Sequence, residues 1–261
     1  MTNPEFNAAI FSRLGTDEYI AGGAAGGPWD EDHCHGGAPA ALLATLLEAV
    51  PPRRPMALAR FTFAFVRPVP LGKVLRVSTR KLHQGLKAQL VEAVLECDGV
   101  LLGTASAVMV RQQPGGDRAA LLEPPDESRA VTMPGAFSQQ FTMVPVLGSF
   151  GELGPAEAWF RLNRPLLEGA AHSAVAHAVA AADFGSGIAN ALPFASWMFP
   201  SLDLAVYLAR APIGDWTNLR SRWLGIGEGR TSCVTKLSDL GGEFGHAVQT
   251  ILIEERAPDP A

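Results

Sequence analysis

The chain has 261 residues, 48% hydrophobic and 18% charged, with a formal net charge of −5. That is enough apolar material for a large core, and the negative balance gives no electrostatic case for nucleic acid or an anionic membrane. No apolar run reaches about eighteen residues, so membrane insertion is not expected. Residues 1–14 lack a basic stretch followed by an apolar one, and Cys34, Cys97 and Cys233 fall at unrelated spacings, which points to a reducing cytoplasm rather than export.

Ala21-Gly22-Gly23-Ala24-Ala25-Gly26-Gly27 lacks the Gly-Lys-Ser/Thr of a phosphate loop and reads as a mobile segment leading to Trp29. Residues 36–50 read as a helix, with Leu42, Leu43, Leu46 and Leu47 at helical spacing. Pro39 is admitted only in the first turn, and Pro51-Pro52 ends the element. The Gly- and Ala-rich N-terminal half of this helix lets another backbone come close. Phe61, Phe63 and Phe65 alternate with Arg60, Thr62 and Ala64, the period of a strand with one apolar face. Strands follow at 73–80, 87–97 and 100–111, the last two joined by an Asp98-Gly99 hairpin turn. Residues 113–137 lose periodicity and gain Pro and Gly, so they read as a linker between a first unit, 1–112, and a second, 138–261. The second unit predicts a strand at 156–162 and an Ala-rich helix around 172–183. Strands then follow at 202–209, 217–224, 230–237 and 244–254, with a Gly241-Gly242 turn before the last.

The two units repeat one another. Arg67-Pro68-Val69-Pro70-Leu71-Gly72 closes a strand in the first, and Arg210-Ala211-Pro212-Ile213-Gly214 closes one in the second. Gly72 and Gly214, like Gly103 and Gly245, are 142 residues apart. A helix followed by antiparallel strands, twice, is an α+β fold in which each sheet wraps its own helix. Differences between the copies point to a site. Gln249 shares a strand face with Ala247, Ile251 and Ile253, and its counterpart in the first copy is Ala107. An amide in an apolar row needs partners. Ser201 and Asp203 precede a strand, and period-two geometry places them on one face, opposite Leu202 and Leu204; Asp203 reads as solvated. Asp183 ends an apolar helix, where a carboxylate opposes the helix dipole, so something outside the helix must justify it; Glu48 ends the first helix. His35-Gly36-Gly37 opens the first helix, and unpaired N–H groups there suit an oxyanion or a polarised carbonyl, although glycine also serves close packing. His33-Cys34-His35 with Asp30 and Asp32 has no second ligand pair, so no metal is expected. Cys34 has no partner set for a nucleophile.

Together these stretches resemble the double-hotdog acyl-CoA thioesterases of the type II superfamily, over roughly residues 10–112 and 140–255. In the first half the resemblance rests on Trp29-Asp30, on His35-Gly36-Gly37-Ala38-Pro39-Ala40-Ala41-Leu42 and on Phe65-Val66-Arg67-Pro68-Val69. In the second it rests on residues 183–190, on residues 201–208, and on Ala247-Val248-Gln249-Thr250. The resemblance implies a double hotdog that hydrolyses an acyl-CoA to a fatty or other acid and CoA. It implies an attacking water held by Asp183, Ser201 (Thr in better-known members) and Gln249. Gly36 or Gly37, beside His35, would polarise the thioester carbonyl, and the acyl chain would lie in a tunnel between the inner sheet faces and the helices. It implies no cofactor beyond the CoA of the substrate, and sheet edges imply a homo-oligomer, dimer or higher. Two other readings stay open. One is a hotdog enoyl-thioester hydratase or dehydratase, for which His172, His177 and His246 lie in no recognisable signature. The other is an acyl-thioester binding protein without turnover.

Overall fold

The computed structural model describes residues 9–113, 121–148, 151–171 and 173–256. The leucine and alanine patterns form two helices, α1 (Gly37–Glu48) and α2 (Ala174–Ala182), and a single turn, α3 (Gly185–Ile188), follows α2. In the first half the strands are β1 (Phe11–Arg13), β2 (Glu18–Ala21), β3 (Met56–Phe65), β4 (Val74–Gln84), β5 (Ala88–Cys97) and β6 (Val100–Arg111). In the second they are β7 (Phe141–Leu147), β8 (Ala156–Leu162), β9 (Trp197–Met198), β10 (Asp203–Leu208), β11 (Thr217–Trp223), β12 (Arg230–Asp239), β13 (Gly242–Leu252) and β14 (Glu254–Glu255).

Among the described residues, twelve strands make one sheet in the order β1-β2-β4-β5-β6-β3-β10-β13-β12-β11-β8-β7, and β9 pairs separately with β14. The halves meet where β3 runs antiparallel to β10, with Phe63 opposite Leu204 and Phe61 opposite Val206. All four are buried, so the core is continuous across the seam. The ends of the sheet curl round the helices towards each other. The Ile10 and Phe11 N–H groups donate to the Pro165 and Leu166 carbonyls, and the Glu168 N–H donates back to the Phe11 carbonyl.

The internal repeat is structural. Gly72 and Gly214 both sit at left-handed φ, +65° and +66°, where a Cβ would be strained. Gly103 faces Leu95 and Gly245 faces Leu237, and each pair adjoins a β-bulge. A Cβ on Gly103 would strike the Phe63 ring and the Ala64 carbonyl, and one on Gly245 the Tyr207 carbonyl. Two expectations change. The glycine-rich segment 21–27 is not mobile: Ala21 and Ala25 are fully buried, and the Ala25 carbonyl accepts the His35 N–H. Its glycines permit close packing, since a Cβ on Gly27 would lie 3.0 Å from the His35 nitrogen. Strand β7 emerges from a stretch that carried no strand pattern, and it pairs along β8.

Candidate active site

The helices lie side by side and antiparallel, so each C-terminus meets the other's N-terminus. A Cβ on Gly37 would sit 2.6 Å from the Ala180 carbonyl, and one on Gly36 would sit 2.8 Å from Asp183 Oδ2. Only glycine lets α1 start this close to α2. The contact also explains the aspartate that ends α2: its carboxylate lies at the positive end of α1, which offsets the unfavourable end of its own helix. At the opposite ends of the helices, Ser173 Oγ donates to Glu48 Oε2 at 2.6 Å.

Asp183 is held from behind by Gln249. The amide Nε2 donates to Asp183 Oδ1 at 3.0 Å and to Ser201 Oγ at 2.8 Å, with the Asp183 carbonyl at 3.2 Å. The amide oxygen accepts the Ser186 N–H at 3.2 Å. That fixes which end of the amide faces the carboxylate, because an N–H can be given only a carbonyl-type acceptor. Ser186 reaches this place because Gly185 precedes it: a Cβ there would meet Thr235 Oγ1 and lie 3.3 Å from Gln249 Oε1.

Ser201 and Asp203 do not share a face, contrary to their spacing. Ser201 bridges to Ile251, whereas Ala205 pairs with Val248, so the register slips by one residue between them. This bulge turns Ser201 inward to Gln249. Asp203 is not merely solvated, since its Oδ1 accepts the Thr250 N–H at 2.7 Å and fills the ladder at the slip.

His35 completes the cluster. Its Nδ1 is 3.2 Å from Asp183 Oδ2 and 3.1 Å from the Gly37 nitrogen. One ring nitrogen either accepts or donates. Unprotonated, Nδ1 takes the Gly37 N–H; protonated, it donates to Asp183 and releases that N–H. The imidazole packs against the Phe184 ring at 4.4 Å.

Asp183, Ser201, His35 and Gly36 all border one cavity of about 440 Å³ at the seam between the halves. It does not run as a tunnel between the sheet and the helices, because that space is filled: Phe61, Phe63, Leu42 and Leu43 are fully buried there. The cavity opens instead between loops. Trp29 stacks on Phe194 at 4.7 Å and meets Phe199 edge-on at 5.0 Å, building an aromatic wall of the cavity. The β9–β14 pairing and Arg256, whose Nε donates to the Phe194 carbonyl, hold that wall in place. Gln249 is only 1% exposed and lies behind the cavity surface.

The acyl-CoA thioesterase N-terminal domain model matches residues 25–112, and the C-terminal domain model matches residues 116–253. The chain belongs to the acyl-CoA thioesterase family. It is a thioester hydrolase with an acyl-CoA substrate. Solved structures share its fold along nearly the whole length. A hot dog protein from Alicyclobacillus acidocaldarius is 15% identical with a TM-score of 0.72, covering 99% of this chain and 100% of that one. A Novosphingobium aromaticivorans protein assigned as a thioesterase is 21% identical with a TM-score of 0.71, covering 93% and 98%. Acyl-CoA thioesterase II of Mycobacterium marinum is 17% identical with a TM-score of 0.63, covering 96% of each chain. No curated protein sequence matches this one. The fold is the double hotdog that the resemblance implied, and no helix among the described residues is long and apolar enough to cross a membrane.

Within this family fold, the expected site residues Asp183, Ser201, Gln249, His35, Gly36 and Gly37 fall in one cluster. The Ser186 N–H and the Phe184 ring belong to it too. Neither carries a spacing signal, although both lie within three residues after Asp183 in sequence. Cys34 borders the cavity, but burial pushes its thiol up to about 12, which keeps it from acting as a thiolate. His246 stacks on Tyr207 on the outside of the sheet, and His177 borders a different cavity. His172 lies outside the described residues.

Proposed function

We propose that the chain hydrolyses acyl-CoA with a water held between Asp183 and Ser201 at the seam cavity. The observation that carries this reading is the Gln249 amide, whose Nε2 reaches both Asp183 Oδ1 and Ser201 Oγ. Asp183 takes a proton from the water as the oxygen adds to the thioester carbonyl carbon. The C–S bond then breaks, the thiol of CoA leaves with a proton, and the acid is released. Ser201 Oγ accepts from Gln249, so its own hydrogen is available to orient the water. Gln249 acts as a positioning residue, because its amide is engaged on both sides and sits behind the cavity surface.

The thioester carbonyl oxygen would lie at the start of α1. The Gly36 N–H has no acceptor among the described residues, and the helix dipole favours developing negative charge there. When His35 Nδ1 carries a proton it donates to Asp183, and the Gly37 N–H becomes a second donor to that oxygen. CoA enters only as part of the substrate, and fatty acids, as one class of product, would place the reaction in lipid metabolism.

The test is thiol release from a panel of acyl-CoAs by the purified protein. Hydrolysis that is lost in Asp183→Asn and impaired in Gln249→Ala is expected. Full activity in both variants would overturn the assignment. The His35–Asp183 contact also suits hydration of an enoyl thioester, which usually needs an imidazole beside an acid. Loss of enoyl absorbance without thiol release would mark that chemistry instead.

A further inference from the structure

One side of the cavity, here termed its floor, is bordered by Phe184 with a stack of phenylalanine rings packed against it. Phe184 borders the cavity and is 2% exposed. Behind it, Phe160 stacks at 5.2 Å and 19°, Phe137 at 5.9 Å and 7°, and Phe141 meets it edge-on at 5.1 Å. These rings come from α2's end, β8, β7 and the segment before β7, so the block is tied to several elements and does not yield easily. Towards α1, Phe65 and Pro39 close the cavity. The wall built by Trp29, Phe194 and Phe199 is aromatic as well. The volume of about 440 Å³ is at the low end of the roughly 300–1,000 Å³ of small-molecule sites, and the acyl group must share it with the arm of CoA.

We propose that Phe184, backed by Phe137, Phe141 and Phe160, limits the substrate to compact acyl groups: short chains, or a single ring that can lie against the aromatic walls. A long straight chain running from Asp183 and Ser201 toward Phe184 would have to pass through the stack. The inference rests on the hydrolytic site placed at Asp183 and Ser201. Phe184 is then a specificity-determining residue, and its ring also packs against His35.

The experiment compares kcat/KM for acetyl-, hexanoyl-, phenylacetyl-, decanoyl- and palmitoyl-CoA. Hexanoyl- or phenylacetyl-CoA is expected to be best. Beyond the floor, activity should fall about tenfold or more per obstructing methylene, the discrimination an apolar pocket supplies. Phe160→Ala, which leaves the residue beside Asp183 intact, and Phe184→Leu, which keeps most of the volume filled, should both raise the decanoyl-to-hexanoyl ratio. Palmitoyl-CoA hydrolysed as well as hexanoyl-CoA by the unaltered protein would overturn the floor. So would an unchanged length profile in both variants. Hydrolysis of no acyl-CoA at all would overturn the underlying hydrolytic reading, and the floor with it, which separates the two failures.

Discussion

The two ends of the helix pair are built on one plan and differ in what surrounds their carboxyls. At one end the glycine start of α1 meets Asp183 after α2; at the other, the Ser173 start of α2 meets Glu48 at the end of α1. In both, a carboxyl at an unfavourable helix C-terminus is offset by the positive N-terminus of its neighbour. The first end has Gln249 behind the carboxylate and an open cavity in front. At the second, the position matching Gln249 is Ala107, and the serine hydroxyl already occupies the carboxyl. A helix pair therefore supplies the electrostatic setting twice, and the proposed function uses only the end that adds an amide and leaves its carboxylate facing a cavity.

The largest test of this contrast is kinetic. Asp183→Asn should lower kcat by about 100- to 10,000-fold, the usual contribution of a general base, while Glu48→Gln leaves it unchanged. A comparable loss in both would mean that the two ends are functionally equivalent. Next, Gln249→Ala should lower kcat by about 100-fold through misplacement of its two partners, with little change in KM, whereas Ala107→Gln should add no activity. Steady-state kinetics on a single acyl-CoA reads all four variants.

Stability separates the ends more finely. Gly37→Ala forces a Cβ to 2.6 Å from the Ala180 carbonyl and should cost about 1–3 kcal/mol of unfolding free energy. Ser173→Ala removes a helix cap that accepts the Ala176 N–H and should cost about 1 kcal/mol. Urea midpoints of the two variants give the order. The smallest effect is a pH dependence. Burial raises Glu48 above its ordinary value of 4.5, against the opposing bond from Ser173. The native state then keeps a proton that the unfolded chain releases, so stability falls as pH rises through the ordinary glutamate range. Glu48→Gln should flatten that limb of a melting-temperature profile, and an unchanged profile would show that Glu48 does not cause it.

Much of this was legible in the sequence because the repeat supplied its own control. Gln249 stood out against Ala107, and Asp183 against the rule for helix ends. The regular strands and both helices followed from periodicity. What escaped notice depends on contacts between distant segments. Ser201 faces inward only because of a one-residue slip that its local pattern does not encode. The His35–Asp183 contact joins residues from opposite halves. The phenylalanine stack draws on four segments without common spacing. Strands β1 and β2 are three and four residues long, too short for alternation to register, and α3 hides in a Gly-Ser-Gly stretch that has low helix propensity.

The bonds between Ile10–Phe11 and residues 165–168 bear on how the molecule is made. A ribosome adding about 5–20 residues per second delivers Phe11 on the order of ten seconds before Leu166 exists. Until then an edge strand and its fully buried phenylalanine have no native neighbour on that side. The first hotdog therefore cannot close this edge until the second is made, and in that interval the unpaired edge is open to wrong pairing.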